Sequence, residues 1–326
     1  MTPDELRART AGLPILPLVA APTPVEPLHR LAAALGRSPG LFVKRDDAIP
    51  FGFGGNKVRK LALVAAKAKT DGADTLITAG GVQSNHARAT AATAAKLGMH
   101  AILVANGTPQ AKPSANALLD RLLGAEVVHV LSREARGPKM DEIAERLRTA
   151  GRRPFVIPVG ASTPLGAAGF ALAVAELVDQ MHAPDVIVHS TSSGGTQAGL
   201  VAGCRLLGLK TRVIGVSADA SSASLQNEVA AIVDGMVDVL GVDRRLLAEG
   251  TAIEVDDAFV GDGYGIPTAA STEAVELCAR SEALFLDPTY TAKAMAGLMA
   301  YVRQQQFTAD QTVLFWHTGG QVALFA

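Results

Sequence analysis

From about residue 73 the chain alternates short apolar runs with longer stretches whose apolar residues recur every three or four positions. The first pattern fits strands buried on both faces, the second helices with one buried stripe. Strands are predicted at 74–78, 101–104, 126–130 and 154–159, with helices Asn85–Leu97, Asn116–Leu123 and Asp141–Ala150 between them. Each helix is followed directly by a glycine, the usual stop signal (Gly98, Gly124, Gly151). Gly160–Gly166 reads as a crossing segment. A second series follows: strands at 185–190, 212–217, 252–255, 284–286 and 312–316, and helices Ala168–Met181, Leu225–Leu240, Thr272–Ser281 and Thr291–Gln305. Thr191–Leu207 is a loop running into a helix. Upstream, Val58–Ala68 begins a helix, and the proline-rich stretch Pro14–Pro27 reads as an extended arm. This order predicts two open, mostly parallel sheets covered on both faces.

Composition agrees and narrows the choice. Hydrophobic residues make up 48% of the 326 and aromatic ones only 4%, so the cores must be built from Ala, Val, Leu and Ile. The formal net charge is −1, from 30 basic and 31 acidic residues. That balance offers no attraction for nucleic acid or for a membrane surface. Cys204 and Cys278 fall inside apolar helical patterns, as buried free thiols in a reducing compartment do. Residues Met1–Glu5 show neither a basic nor an apolar leader pattern, and the expected compartment is the cytoplasm. The seven histidines form no metal-binding motif, so no metal is expected.

Ligands of open parallel sheets settle beyond the carboxyl ends of the strands, so the loops there carry the chemistry. Lys57 stands in Phe51-Gly-Phe-Gly-Gly-Asn-Lys57, just before a predicted helix. Gly54 and Gly55 would let a planar partner approach the backbone. Lys60 lies one turn further along the same face. A lysine that forms a Schiff base and a second lysine for an anion suit a phosphorylated aldehyde cofactor. After strand 74–78, Gly80-Gly81 allows a tight turn, and Ser84 or Asn85 is either a plain helix cap or a group that meets a bound ring. After strand 185–190, Ser193-Gly194-Gly195-Thr196 leads into a helix and makes an anion cup suited to a monophosphate, or else a packed glycine turn. It lacks the lysine of a triphosphate loop, which counts against a nucleotide-binding protein. Tyr290 and Tyr264 stand in loops where tyrosines stack on a ring or move a proton, or simply pack. His317-Thr318-Gly319-Gly320 follows the last strand.

These segments, with Lys44-Arg45-Asp46-Asp47, Gln83-Ser84-Asn85-His86 and Asp287-Pro288-Thr289-Tyr290-Thr291, occur in one order. From about Ala21 to Phe325 the chain resembles the D-cysteine desulfhydrase / 1-aminocyclopropane-1-carboxylate (ACC) deaminase group of pyridoxal-phosphate enzymes, which have the fold type II, tryptophan-synthase-β-like architecture. The resemblance implies a small domain, 52–160, inserted into a larger one, 1–51 plus 161–326, with the site in the cleft. It implies that Lys57 holds pyridoxal 5'-phosphate covalently and shuttles the substrate's α-proton. Asn85 would bond the ring hydroxyl; Lys60 and Ser193, Gly194, Gly195 and Thr196 would hold the phosphate. Thr291 would sit near the pyridine nitrogen, and Thr318 would also touch the cofactor. Ser84, Tyr264 and Tyr290 would line the substrate face as catalytic groups, with Asn85 and His86 helping to bind the amino acid. A homodimer is implied as well. ACC deaminases carry a glutamate where Thr291 stands, and a neutral hydroxyl supports a weaker electron sink. The expected activity is therefore β-elimination from D-cysteine, giving pyruvate, sulfide and ammonia. ACC deaminase, L-cysteate sulfo-lyase, another D- or L-amino-acid β-lyase and a racemase are the alternatives in this class. A catalytically silent pyridoxal-phosphate-binding protein is the alternative outside it. Phe51 and Phe53 differ from either archetype and are expected to reshape the pocket.

Overall fold

A computed structural model of the chain describes residues 1–36 and 38–326. The elements run α1 (Pro3–Thr10), β1 (Val25–Pro27), α2 (His29–Leu35), β2 (Gly40–Arg45), α3 (Asn56–Thr70), β3 (Thr75–Gly81), α4 (Asn85–Leu97), β4 (His100–Asn106), α5 (Ala115–Leu122), β5 (Glu126–Val130) and α6 (Arg136–Thr149). They continue with β6 (Pro154–Val156), α7 (Pro164–Gln180), β7 (Val186–Thr191), α8 (Gly195–Leu206), β8 (Arg212–Ser217), α9 (Ser222–Leu240), α10 (Arg245–Ala248), β9 (Ile253–Asp256), α11 (Ala269–Glu282), α12 (Thr291–Arg303) and β10 (Thr312–His317).

Two sheets result. The larger has the order β1-β2-β10-β7-β8-β9 and is parallel except for the short edge strand β1; the smaller has the order β5-β4-β3-β6 and is parallel throughout. The chain enters the large sheet with β1 and β2, leaves to build the small one, and returns with β7. One face of the large sheet packs against α7, α8 and α9 around Phe170 and Trp316, the other against α11 and α12. Both faces of the small sheet are covered too. Burial on both sides explains why most strands read as continuous apolar runs. Cys204 and Cys278 are free and buried. Among the described residues no helix is long and apolar enough to cross a membrane.

The strand expected at 284–286 is absent from both sheets. Leu284 and Leu286 are buried while Phe285 is 56% exposed, which reproduces a strand's alternation, but no neighbouring strand takes its hydrogen bonds. Conversely β2, α1 and α2 were not expected. The Gly160–Gly166 segment is shorter as a crossing than predicted, because Thr163 caps α7 by accepting from the Gly166 N–H at 3.0 Å.

An ion network fixes α3, the helix of Lys57, to the large sheet. Arg59 donates through Nε to Asp46 at 2.9 Å and through both Nη groups to Glu176 on α7 at 2.9 Å. Trp316 Nε1 donates to the other Asp46 oxygen at 2.9 Å. Lys44 donates to Glu176 and to the Thr23 carbonyl. Much of the Lys44-Arg45-Asp46-Asp47 motif is thus structural. Burial alone would push the Glu176 carboxyl up, but the hydrogen bonds from Arg59 and Lys44 outweigh it and hold it at about 2. A carboxyl depressed in the folded state adds stability above its unfolded value and loses it as pH falls through the folded one. Stability should therefore decline between pH 4.5 and about 2. In urea titrations stepped through that window, Glu176→Gln is expected to start less stable and to show a shallower decline; an unchanged acid slope would refute this assignment.

Candidate active site

One cavity gathers loops from both sheets. Its wall includes Lys57, Ser84, Asn85, His86, Arg133, Arg136, Ser193, Gly194, Thr196, Tyr264, Tyr290 and Thr318. No aspartate or glutamate lines it. Lys57 is the second residue of α3, where the positive end of the helix disfavours an ammonium. Burial lowers its amine to about 8, against the opposing pull of Lys60 and Asp287. Lys60, 1% exposed, lies one helical turn on, and its own amine is pushed well down by burial and by the Lys57 charge. Of the two buried amines Lys60 is the one held uncharged, and a value of about 8 leaves a fraction of Lys57 as free nucleophile near neutral pH.

Gly54 and Gly55, at φ +68 and +98, do not open space for a ligand as expected. A Cβ on Gly54 would lie 2.6 Å from the Ile49 carbonyl, and one on Gly55 3.0 Å from the Thr318 carbonyl. The glycines admit the chain's own backbone, and the Asn56 N–H then donates to the Thr318 carbonyl at 3.0 Å. That contact holds the start of α3 against the loop after β10. Phe51 packs on the core of the small sheet and Phe53 is 59% exposed; neither lines the cavity, so the expected reshaping of the pocket by these rings does not occur.

The loop expected to cup an anion stands at the start of α8. Its organiser is Ser162, which the sequence did not single out. The Ser162 hydroxyl lies 2.7 Å from the Ser193 hydroxyl, accepts from the Gly195 N–H at 3.2 Å and is 3.4 Å from the Lys60 amine. Thr196 accepts from Asn56 Nδ2 at 2.9 Å. The first N–H groups of α8 have no acceptor within the helix and carry its positive end. Space is reserved by glycine: a Cβ on Gly195 would stand 2.6 Å from Ser162 Oγ. Hydroxyls, helix N–H groups, a buried lysine and no acid make a donor set that fits a phosphate monoester, and the Lys57 amine beside it fits an aldehyde.

Ser84 caps α4, accepting from the Ala87 N–H at 3.2 Å. Gly80 is not in a turn, as expected, but in strand β3, where its missing Cβ leaves room for Ser84, 2.3 Å from the hydroxyl. Asn85 accepts at Oδ1 from Asn116 Nδ2 at 2.9 Å, which fixes its amide. His86 is buried, with Nε2 2.8 Å from the Thr78 hydroxyl. Because that hydroxyl donates to the Ile157 carbonyl, it accepts from Nε2, and Nδ1 is left bare and unpartnered. Burial and the two lysines keep the ring neutral. Tyr264 and Tyr290 meet hydroxyl to hydroxyl at 2.5 Å, with rings edge to face at 5.7 Å. Burial and its partner push the Tyr290 phenol well up, so it stays protonated.

Thr291 lies outside the cavity wall. It is fully buried, and its hydroxyl sits 2.7 Å from Asp287 Oδ1. The Asp287 carboxylate also accepts from the N–H groups of Thr289, Tyr290 and Thr291, which sets the entry into α12 and hence the place of Tyr290. Lys60 likewise acts from behind the wall. Besides Ser162, sequence reasoning missed Asn116, Arg133 and Arg136. Arg133 and Arg136 reach the wall from the β5–α6 connection and Asn116 acts on it through Asn85, positions that depend on the assembled small sheet.

Residues 16–319 match the model of the pyridoxal-phosphate dependent enzyme family. The chain belongs to that family, has the fold type II architecture and uses pyridoxal phosphate. It is 40% identical over 321 residues to the D-cysteine desulfhydrase of Klebsiella pneumoniae (strain 342), covering 96% of both chains. Among solved structures it is similar to an ACC deaminase homologue, with a TM-score of 0.91 and 33% identity over 98% of this chain and 96% of that one. The processed form of threonine deaminase isoform 2 from Solanum lycopersicum shares the fold at a TM-score of 0.70 and 18% identity, over 98% of this chain and 84% of that one.

Proposed function

We propose that the protein is a D-cysteine desulfhydrase: D-cysteine and water are converted to pyruvate, hydrogen sulfide and ammonia. The observation that carries this reading is the lowered amine of Lys57 on the wall of an acid-free cavity shared with the Tyr264–Tyr290 pair. Its end-to-end likeness to D-cysteine desulfhydrases supports the choice of substrate.

Bound pyridoxal phosphate supplies an electron-withdrawing ring that acidifies the α C–H of the attached amino acid. The chain's residues do the rest. Ser162, Ser193, Gly194, Gly195 and Thr196 would hold the phosphate, with the buried Lys60 amine behind them, and Thr318 closes the wall beside Lys57. Lys57 would anchor the cofactor's aldehyde carbon and hold the substrate's α-proton at Nζ; a value of about 8 suits proton exchange near neutral pH. Ser84 and the N-terminus of α4 would receive the substrate carboxylate, Asn85 would hold the ring, and the neutral His86 ring would help to bind the amino acid. The Tyr264–Tyr290 pair delivers a proton to the leaving sulfur. Thr291 and Asp287 shape this wall from behind, with no carboxylate on the cavity surface to deepen the electron sink. Departure of a thiolate needs less of a sink than opening a cyclopropane ring does, so elimination from D-cysteine is favoured over ACC deamination. Residues 52–160 form the smaller domain in this reading. Its family likeness also brings a homodimer and a cytoplasmic setting, which sedimentation and cell fractionation test.

Purified holoenzyme should release equimolar pyruvate and sulfide from D-cysteine and no 2-oxobutyrate from ACC. Turnover of ACC alone, of L-amino acids alone, or of none would overturn the substrate assignment. Gly195→Ala should weaken cofactor binding about tenfold or more, since its Cβ displaces a hydroxyl of the phosphate cup. Titration of apoenzyme with pyridoxal phosphate checks this, and unchanged affinity would place the phosphate elsewhere.

A further inference from the structure

Two cavity-lining arginines have no part in holding the phosphate or the α-carboxylate. Arg133 follows β5 and Arg136 opens α6, and both share the cavity with Lys57, Ser84 and the tyrosine pair. Arg133 is committed. It donates to Asp219, beyond β8, at 2.5 Å, and its guanidinium stands 5.2 Å from the centre of the Tyr264 ring. It therefore ties the small sheet's loop to the large sheet.

Arg136 is different. Its Nε donates to the Arg133 carbonyl at 3.0 Å, and among the described residues no carboxylate pairs with its guanidinium. It is half-buried, next to a second cation, on a wall without acids. Its neighbour Glu134 is exposed. Burial and the charge of Arg133 lower it, opposed by Tyr264, by the exposed Glu134, which forms no ion pair with it, and by Tyr290. A half-desolvated guanidinium with free N–H groups is costly to hold unless an anion arrives. The tyrosine pair beside it is the group assigned to the leaving substituent, so the missing anion belongs on the substrate's β-carbon.

We propose that Arg136 is a specificity-determining residue that binds an anionic β-substituent of the amino acid, a thiolate or a sulfonate. This rests on the elimination reading of the same cavity. A neutral β-substituent such as chlorine gains little from it. The planar fork suits a sulfonate in particular, because two N–H groups can meet two oxygens.

Holoenzyme is titrated with cysteate and with β-chloroalanine, each as both enantiomers, following the cofactor absorbance and recording pyruvate release in parallel. Arg136→Gln is expected to raise the half-saturating concentration of cysteate about 10- to 100-fold and that of β-chloroalanine less than about threefold. Arg136→Lys, which keeps the charge but not the fork, should fall between. Equal shifts for the two ligands, no shift for either, or wild-type holoenzyme blind to cysteate would overturn the proposal. Absence of pyruvate from D-cysteine with intact cysteate discrimination would instead overturn the desulfhydrase reading alone.

Discussion

Lys57→Ala is expected to lower pyruvate release from D-cysteine by about 10³-fold or more, because one side chain serves both as cofactor anchor and as proton carrier. The variant should remain folded. Its amine is the strained partner of Lys60, each depressed by burial and one by the other's charge. An amine lowered in the folded state opposes folding as pH falls below its unfolded value, so deleting it removes a liability at neutral pH. The apoenzyme of Lys57→Ala should therefore melt no lower than wild-type apoenzyme while its turnover vanishes. Steady-state assays with circular dichroism melts check both halves. Activity within tenfold of wild type would remove Lys57 from the chemistry; a collapsed melt would make its role one of stability.

Asp46→Ala is expected to be the most damaging change away from the cavity, at about 3–5 kcal/mol of unfolding free energy. Asp46 is fully buried and takes hydrogen bonds from Arg59, Thr23 and Trp316. Its removal leaves the Trp316 N–H without its acceptor and takes one of the two carboxylates from the buried Arg59 guanidinium. Glu176 still holds both Nη groups, which keeps the loss within that range. Arg59 lies two residues beyond Lys57, so loosening it also frees the helix that aims the amine. Denaturant melts should show the stability loss, and the surviving folded fraction should have reduced kcat with D-cysteine. A loss under about 1 kcal/mol would mean that the network is ornamental.

Local chemistry explains which parts of this molecule could be read from its sequence. Asn85–Leu97 was legible to the residue because a serine cap, an alanine-rich body and a left-handed Gly98 each act within a few positions. Strands 126–130 and 212–217 were equally plain, being apolar runs between breakers. The 284–286 segment misled because alternation reports burial on one side, not a partner strand. β2 escaped notice since its Lys44 and Arg45 look like surface residues until Glu176 on α7 and Glu26 on β1 arrive. In the site, motif residues including Lys57, Ser84, Ser193, Thr196 and Tyr290 do converge on one cavity. Thr291 does not reach its wall, as Asp287 claims its hydroxyl within a single helical turn. Ser162 and Asn116 were silent because each acts through a neighbour that is distant in sequence, and Arg136 because only the assembled small sheet brings its helix start to the cavity. Glycine was legible as a marker but not in its purpose: Gly55 makes room for Thr318, and Gly80 for Ser84.

The most direct test reduces the resting holoenzyme with borohydride, digests it and locates the cofactor by mass spectrometry. Attachment to the ε-nitrogen of residue 57, and to no other lysine, is the predicted outcome. A label on Lys60, or reduced protein carrying no covalent cofactor at all, would contradict the account at its foundation.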